Sequence, residues 1–165
     1  MRAIHQLIIL LAICLFLGGC KDNVNIICDD CNTLTCLVNG KKFVPGSKDS
    51  KKSILNSATY GDKKLEINAY DDQEYIGLTL NSADSLRVGM YQLSTYPLGT
   101  GLYSSGSTHY STDTDNTGEL TITKLEFEPT PVMEGIFHYE CINKKAQRSI
   151  SVTDGSFRVF FGRAK

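Results

Sequence analysis

The sequence predicts an all-β protein: a single antiparallel β-sandwich, or a partly open barrel, of about seven to ten strands. Three observations predict it. Beyond residue 20, apolar residues recur at every second position in short runs, the pattern of half-buried strands. Turn residues interrupt these runs at a spacing of roughly ten residues, as sandwiches and barrels require. No stretch after residue 20 holds a 3.6-residue apolar period over the length of a helix.

The elements follow in chain order. In "TCLVNGKKFVP" the pair Asn39-Gly40 separates two apolar stretches, and both residues tolerate positive φ, so a tight hairpin is expected. "KLEINAY" alternates Leu65, Ile67 and Ala69 on one face, and "EYIGLTLN" alternates Ile76, Leu78 and Leu80. Gly61-Asp62 and Asp71-Asp72 supply the breaks. Residues 94–119 are polar and glycine-rich; one strand near Leu102 to Tyr110 is expected there, with loop around it. Residues 94–118 are also expected to be the most mobile part of the fold, because they have little apolar surface to bury. "GELTITKLEFE" changes parity between Ile122 and Leu125, which predicts a bulge near Lys124. "GIFHYECIN" sets Phe137, Tyr139 and Cys141 against Ile136, His138 and Glu140. "RSISVTDGSFRVFFG" reads as a hairpin turning at Asp154-Gly155.

The N-terminus carries an address. Leu7 to Leu17 are eleven apolar residues after one firm positive charge, Arg2. A helix of that length spans only about half of a bilayer's ~30 Å core, so the run suits a signal-peptide core rather than a permanent span. Gly18 and Gly19 stand immediately before Cys20, with Leu17 three positions ahead of it. This resembles the lipobox of bacterial lipoproteins, which implies lipidation of the Cys20 thiol and cleavage before it. Several acyl chains on one residue meet the two-signal requirement of stable anchoring. Lys21 and Asp22 follow, resembling surface-export signals of Bacteroidota lipoproteins. The expected location is the bacterial envelope, anchored in the outer membrane, on its surface or its periplasmic face.

Three segments are therefore expected: residues 1–19 as signal peptide, 20–33 as lipidated cysteine and polar tether, and 34–165 as the β-domain. The first segment holds one of the 17 Lys and Arg residues and none of the 18 Asp and Glu, leaving 146 residues with a net charge of −2. That length supports one domain with a real core. The near-neutral charge gives no sign of nucleic-acid binding.

"LVNGKKF", "GMYQLS", "GELTIT" and "GIFHYECIN…ISVTDGSFRV" occur in this order. Together they resemble an uncharacterised lipoprotein family of Bacteroidota, over about Leu34 to Phe161. Phe43 stands where that family commonly has Trp, and Cys141 where it commonly has Ala. The resemblance implies the β-sandwich and no activity.

Candidate chemistry is sparse. His109, in "GSTHYSTD", has hydroxyls around it and Asp113 and Asp115 after it, so a hydrolytic triad can be drawn. No G-x-S-x-G elbow accompanies it. His138 alternates with aromatic residues in a strand and reads as an outward polar residue. "DTDNTGE" begins like a calcium loop, but Thr117 and Lys124 occupy the fifth and twelfth positions, where ligands belong. No metal ligand and no cofactor is expected.

The remaining cysteines are Cys28, Cys31, Cys36 and Cys141. In an exported protein they are expected to form structural disulfides rather than a zinc site. Cys36 shares parity with Val38, and Cys141 with Tyr139, so a core-crossing Cys36–Cys141 bond is proposed. It would close a loop of over a hundred residues, worth up to ~4.7 kcal/mol on the chain-entropy model. The alternatives are Cys28 or Cys31 bonded to Cys141, or a buried free Cys141.

Tyr91, Tyr96, Tyr103 and Tyr110, with His109, surround the glycine-rich middle. Exposed tyrosines stack on sugars or fill partner pockets, so these five residues form the expected binding face. The reading is a non-catalytic, membrane-anchored binding module for a glycan or an envelope protein. A structural accessory of an envelope complex, or a hydrolase using His109, is the alternative.

Overall fold

The computed structural model describes residues 32–43, 45–46, 55–61, 63–71, 73–95 and 98–161. The expected signal peptide, Cys20 and most of the tether lie outside them. The described residues form eleven strands: β1 (Thr33–Val38), β2 (Lys41–Phe43), β3 (Leu55–Gly61), β4 (Lys64–Asp71), β5 (Glu74–Asn81), β6 (Gly89–Leu93), β7 (Gly99–Ser105), β8 (Thr108–Ser111), β9 (Gly118–Glu126), β10 (Val132–Asn143) and β11 (Arg148–Phe160).

All belong to one antiparallel sheet in the order β2-β1-β11-β10-β8-β7-β5-β4-β3, with β9 on β10 and β6 on β9. The fork lies in β10. Val132 to Tyr139 pair with β9, whereas Ile142 pairs with Ser111 of β8. The sheet is therefore split into two wings, and it is not closed into a barrel. One wing contains β2, β1, β11, β10, β9 and β6; the other contains β8, β7, β5, β4 and β3. Their apolar faces share one core, which joins Leu65, Ile67, Ile76 and Leu78 to Leu34, Ile122, Met133, Tyr139 and Val159. The arrangement is sandwich-like, as expected, with one strand more than the upper expectation.

Alternation explains the faces. Leu34, Cys36 and Val38 are buried in β1; Leu65, Ile67 and Ala69 in β4; and Ile76, Leu78 and Leu80 in β5. Asn39 and Gly40 both adopt positive φ (48° and 79°) between β1 and β2, the two-residue hairpin geometry their sequence favours. The bulge expected near Lys124 is present: Glu134 faces Lys124, but Gly135 faces Ile122.

Two expectations fail. The glycine-rich middle holds two strands, not one. β7 lies between β5 and β8 in the ladder, and the short turn at Gly106 (φ 56°) joins β7 to β8. Gly101 is a packing residue: a Cβ there would lie 2.7 Å from the Tyr139 ring, so the tyrosine crosses β7 only because no side chain is there.

Asp154-Gly155, second, is no hairpin turn. β11 runs through it without reversing, paired to β10 on one side and β1 on the other. The reversal occurs earlier, between Asn143 and Arg148. Phe137 faces Gly155 while Tyr139 faces Val152, so Thr153 and Asp154 together oppose His138. Two residues against one make a β-bulge. Asp154 takes the left-handed φ of 50°, which Asp tolerates better than most residues. Gly155 leaves room for Phe137, whose ring would meet a Cβ at 2.5 Å.

Candidate functional site

The bulge shapes a groove of about 540 Å³ on the outer face of β9, β10 and β11. Thr121, Ile136, His138, Asp154 and Ser156 line it, with Glu119 at its side. The ladder assigns each residue its place. Met90, Thr121, Ile136, Ser156 and Thr35 form one row across β6, β9, β10, β11 and β1. Gln92, Glu119 and His138 form the next row, which reaches the bulge. At about 4.8 Å per strand the first row is about 19 Å long. Two of its members are aliphatic and open to solvent: Met90 is 66 % and Ile136 55 % exposed.

The carboxylates of this face form no ion pair, nor do Asp71, Glu74, Asp84 and Asp115, among the described residues. Elsewhere the structure pairs Lys64 with Glu66 at 2.8 Å, Lys124 with Glu126 at 3.1 Å, Lys144 with Asp113 at 3.0 Å, and Arg158 with Glu134 at 3.3 Å. No such ion pair involves Glu119, Glu140 or Asp154 among the described residues. Arg158, at the lower border, also lies 5.0 Å from the centre of the Phe160 ring. Among the described residues, no Lys or Arg lines the groove itself.

Three of the tyrosines expected to form the binding face, Tyr91, Tyr103 and Tyr110, pack against the core. Tyr103 is buried, and its hydroxyl donates to Glu74 Oε1 at 2.7 Å. Burial, then the Glu74 carboxylate, pushes its pKa up to about 12. The Tyr91 hydroxyl accepts from the Arg87 amide and donates to the Arg87 carbonyl, with its ring packed on the core. Tyr110 packs on the core beside Tyr103, with ring centres 5.8 Å apart. His109 is exposed on β8, and its carbonyl accepts from Asn143 Nδ2. Tyr96 lies outside the described residues. Tyr103 and Tyr110 face inward because residues 99–111 form ladder strands, and alternation there turns them toward the core and His109 outward.

Asp113, drawn beside His109 in the sequence, is committed to its own turn. Its Oδ1 accepts from the amides of Asp115 and Asn116 and from Asn116 Nδ2, while Oδ2 faces Lys144. The Asn116 hydrogen bonds, foremost, and the lysine hold its carboxyl well below the usual carboxylate range. Among the described residues, no group of three or more His, Cys, Asp and Glu is placed to hold a metal ion.

Cys36 and Cys141 are both buried, as parity predicts, but they are free thiols. The proposed bond between them is not formed. β1 and β10 flank β11 on opposite sides, so at least two strand spacings, roughly 9.5 Å, separate them, and Cys141 faces Ile150 while Cys36 lies between the partners of Thr153 and Ser156. A disulfide tolerates about 4.4–6.8 Å between Cα atoms. The Cys141 thiol instead donates to the Ile150 carbonyl at 3.6 Å. Burial pushes both thiols up to about 12, with smaller additions from Glu74 at Cys36 and Glu140 at Cys141. Cys28 and Cys31 lie outside the described residues.

In the sequence, Ile136 and His138 only alternate with core residues of a strand and Asp154-Gly155 reads as a turn, so none of the groove residues stands out as a site. The one signal of concavity was Asp154-Gly155, which has the same local preference in a bulge as in a turn.

Residues 49–159 match the family described as Domain of unknown function (DUF6252), and the chain belongs to that family. β1 and β2 precede the matched stretch yet share its sheet. No curated protein and no solved structure matches the chain.

Proposed function

We propose, taking membership of DUF6252 as a premise about the domain and not about activity, that this chain is a lipid-anchored binding module of the bacterial envelope. Cys20 is the attachment point to the outer membrane, and the β-domain carries a non-catalytic site for a glycan or an envelope protein. The site is the groove at the Asp154 bulge rather than the tyrosine cluster. One observation carries the reading: an open groove, lined by polar side chains but mostly by apolar surface, runs beside a solvent-exposed aliphatic row, and its carboxylates have no ion-pair partner among the described residues. Solvated sheet faces normally lack such combined relief and exposed aliphatic surface.

Two experiments test this. Cys20→Ala should release the protein from membranes or leave it as uncleaved precursor; a mature-sized chain still fractionating with membrane would end the anchoring proposal. Photo-crosslinking from a probe at position 121 or 156 should capture an envelope glycan or protein. A probe at Thr59, on β3, should not capture the same partner. Equal capture from both positions would remove the groove as the site.

A further inference from the structure

We infer that the groove accepts an extended peptide segment of a partner protein, with an aliphatic side chain at one position and Lys or Arg two positions on. The inference rests on the groove being the binding site and specifies its ligand.

Spacing supports the inference. The aliphatic row through Met90 and Ile136 and the polar row through Glu119 and His138 lie two residues apart on each strand. Two residues of strand span about 6.8 Å, which is also the distance between same-side residues of an extended peptide. A segment lying along β10 therefore presents one side chain to Ile136 and the next same-side one between Glu119 and Asp154. Those carboxylates stand on β9 and β11, with His138 on the strand between them.

Charge decides the second position. Four other carboxylates of the described residues have a Lys or Arg within ion-pair distance. Glu119, Asp154 and, two residues beyond His138, Glu140 have none among the described residues. The nearest outward lysine on that side is Lys42, which faces Leu37 of β1, itself the neighbour of Thr153. The uncompensated field favours a cation and opposes phosphate, nucleic acid or acidic peptide.

The lining also disfavours sugar. Stacking on a pyranose needs an exposed aromatic face. Among the described residues, Phe137 is the single aromatic residue at the groove, and it is 3 % exposed with its ring turned to the core. Exposed aliphatic groups beside hydroxyls and carboxylates suit a peptide instead.

The test uses the full chain in detergent and fluorescein-labelled peptides of alternating Leu-Lys, Leu-Glu and Leu-Ser, with a glucosamine trimer and a neutral oligosaccharide as sugar probes. Anisotropy should show Leu-Lys bound and Leu-Glu unbound, with binding weakened by added salt. The double variant Glu119→Gln, Asp154→Asn should bind Leu-Lys about 10-fold more weakly. Asn preserves the left-handed backbone at 154, and an unchanged thermal midpoint would confirm folding. Ile136→Ser should weaken Leu-Lys and Leu-Ser alike. Equal binding of all three peptides, or an unaffected double variant, overturns the inference. A sugar probe that binds and is lost on Ile136→Ser, with no peptide bound, overturns it while leaving the binding-module reading intact. No binding by any probe overturns the inference, and the crosslinking result then decides the broader reading.

Discussion

The Tyr139 hydroxyl donates to the Leu102 carbonyl at 2.7 Å and so ties β10 to β7, on opposite wings of the sheet. Its ring lies across Gly101, and burial holds its pKa well above the ordinary tyrosine value. Tyr139→Phe keeps the ring and removes the bond, so it should cost about 1–2 kcal/mol. Gly101→Ala forces a methyl group into the ring and should cost about 1–3 kcal/mol. Urea unfolding checks both; a loss below ~0.5 kcal/mol for Gly101→Ala would contradict the close approach.

Cys36 and Cys141 should resist a thiol reagent in the native protein and react on unfolding, because both are buried and neutral. The pH dependence follows from the direction of the shifts. Each folded pKa, about 12, lies above the ordinary 9.0. Below pH 9 both states are protonated and the thiols add no pH dependence. Between 9 and 12 the unfolded chain loses the proton first, so stability falls as pH rises, by up to ~1.4 kcal/mol per pH unit per thiol. Replacing both with Ala should flatten this alkaline slope in urea titrations. Recovery of a Cys36–Cys141 disulfide from the exported protein would contradict the fold.

The bulge makes a distinct prediction. Gly155→Ala places a methyl group against Phe137 and should destabilise by about 1–3 kcal/mol. Asp154→Asn should be nearly neutral, whereas Asp154→Val should cost about 1 kcal/mol or more, because a β-branched residue resists positive φ. Thermal melts of the three variants separate a bulge from an unstrained strand, in which Val would be harmless.

Asp113 anchors the turn before β9. Its carboxyl is held below the ordinary range, so it stabilises the fold above the unfolded pKa near 4, and that contribution is lost as pH falls through the folded value. Asp113→Ala should lower the thermal midpoint at pH 7 and narrow the gap from wild type under strongly acidic conditions. Lys144→Ala should matter little, since Lys144 is 75 % exposed. Equal losses from the two variants would show that the ion pair, not the turn hydrogen bonds, sets the effect.

By itself the sequence determined which faces of most strands are buried, the Asn39-Gly40 hairpin, the bulge near Lys124 and the inward parity of Cys36 and Cys141. Each depends on neighbours along one chain segment: a period of two, or a residue pair that tolerates positive φ. Tertiary structure alone decided the rest. Asp154-Gly155 satisfies a turn and a bulge equally, and β1 and β10, pairing along both sides of β11, select the bulge. Parity places Cys36 and Cys141 inward, yet the intervening strand sets their separation. The tyrosines of the middle segment look like a binding face until β5 and β8 enclose β7 and turn Tyr103 into the core. The groove is built from Glu119, Ile136 and Asp154, on three strands whose register exists only in the ladder. Short-range preferences are written residue by residue, whereas a site spanning strands depends on strand order, which local preference does not encode.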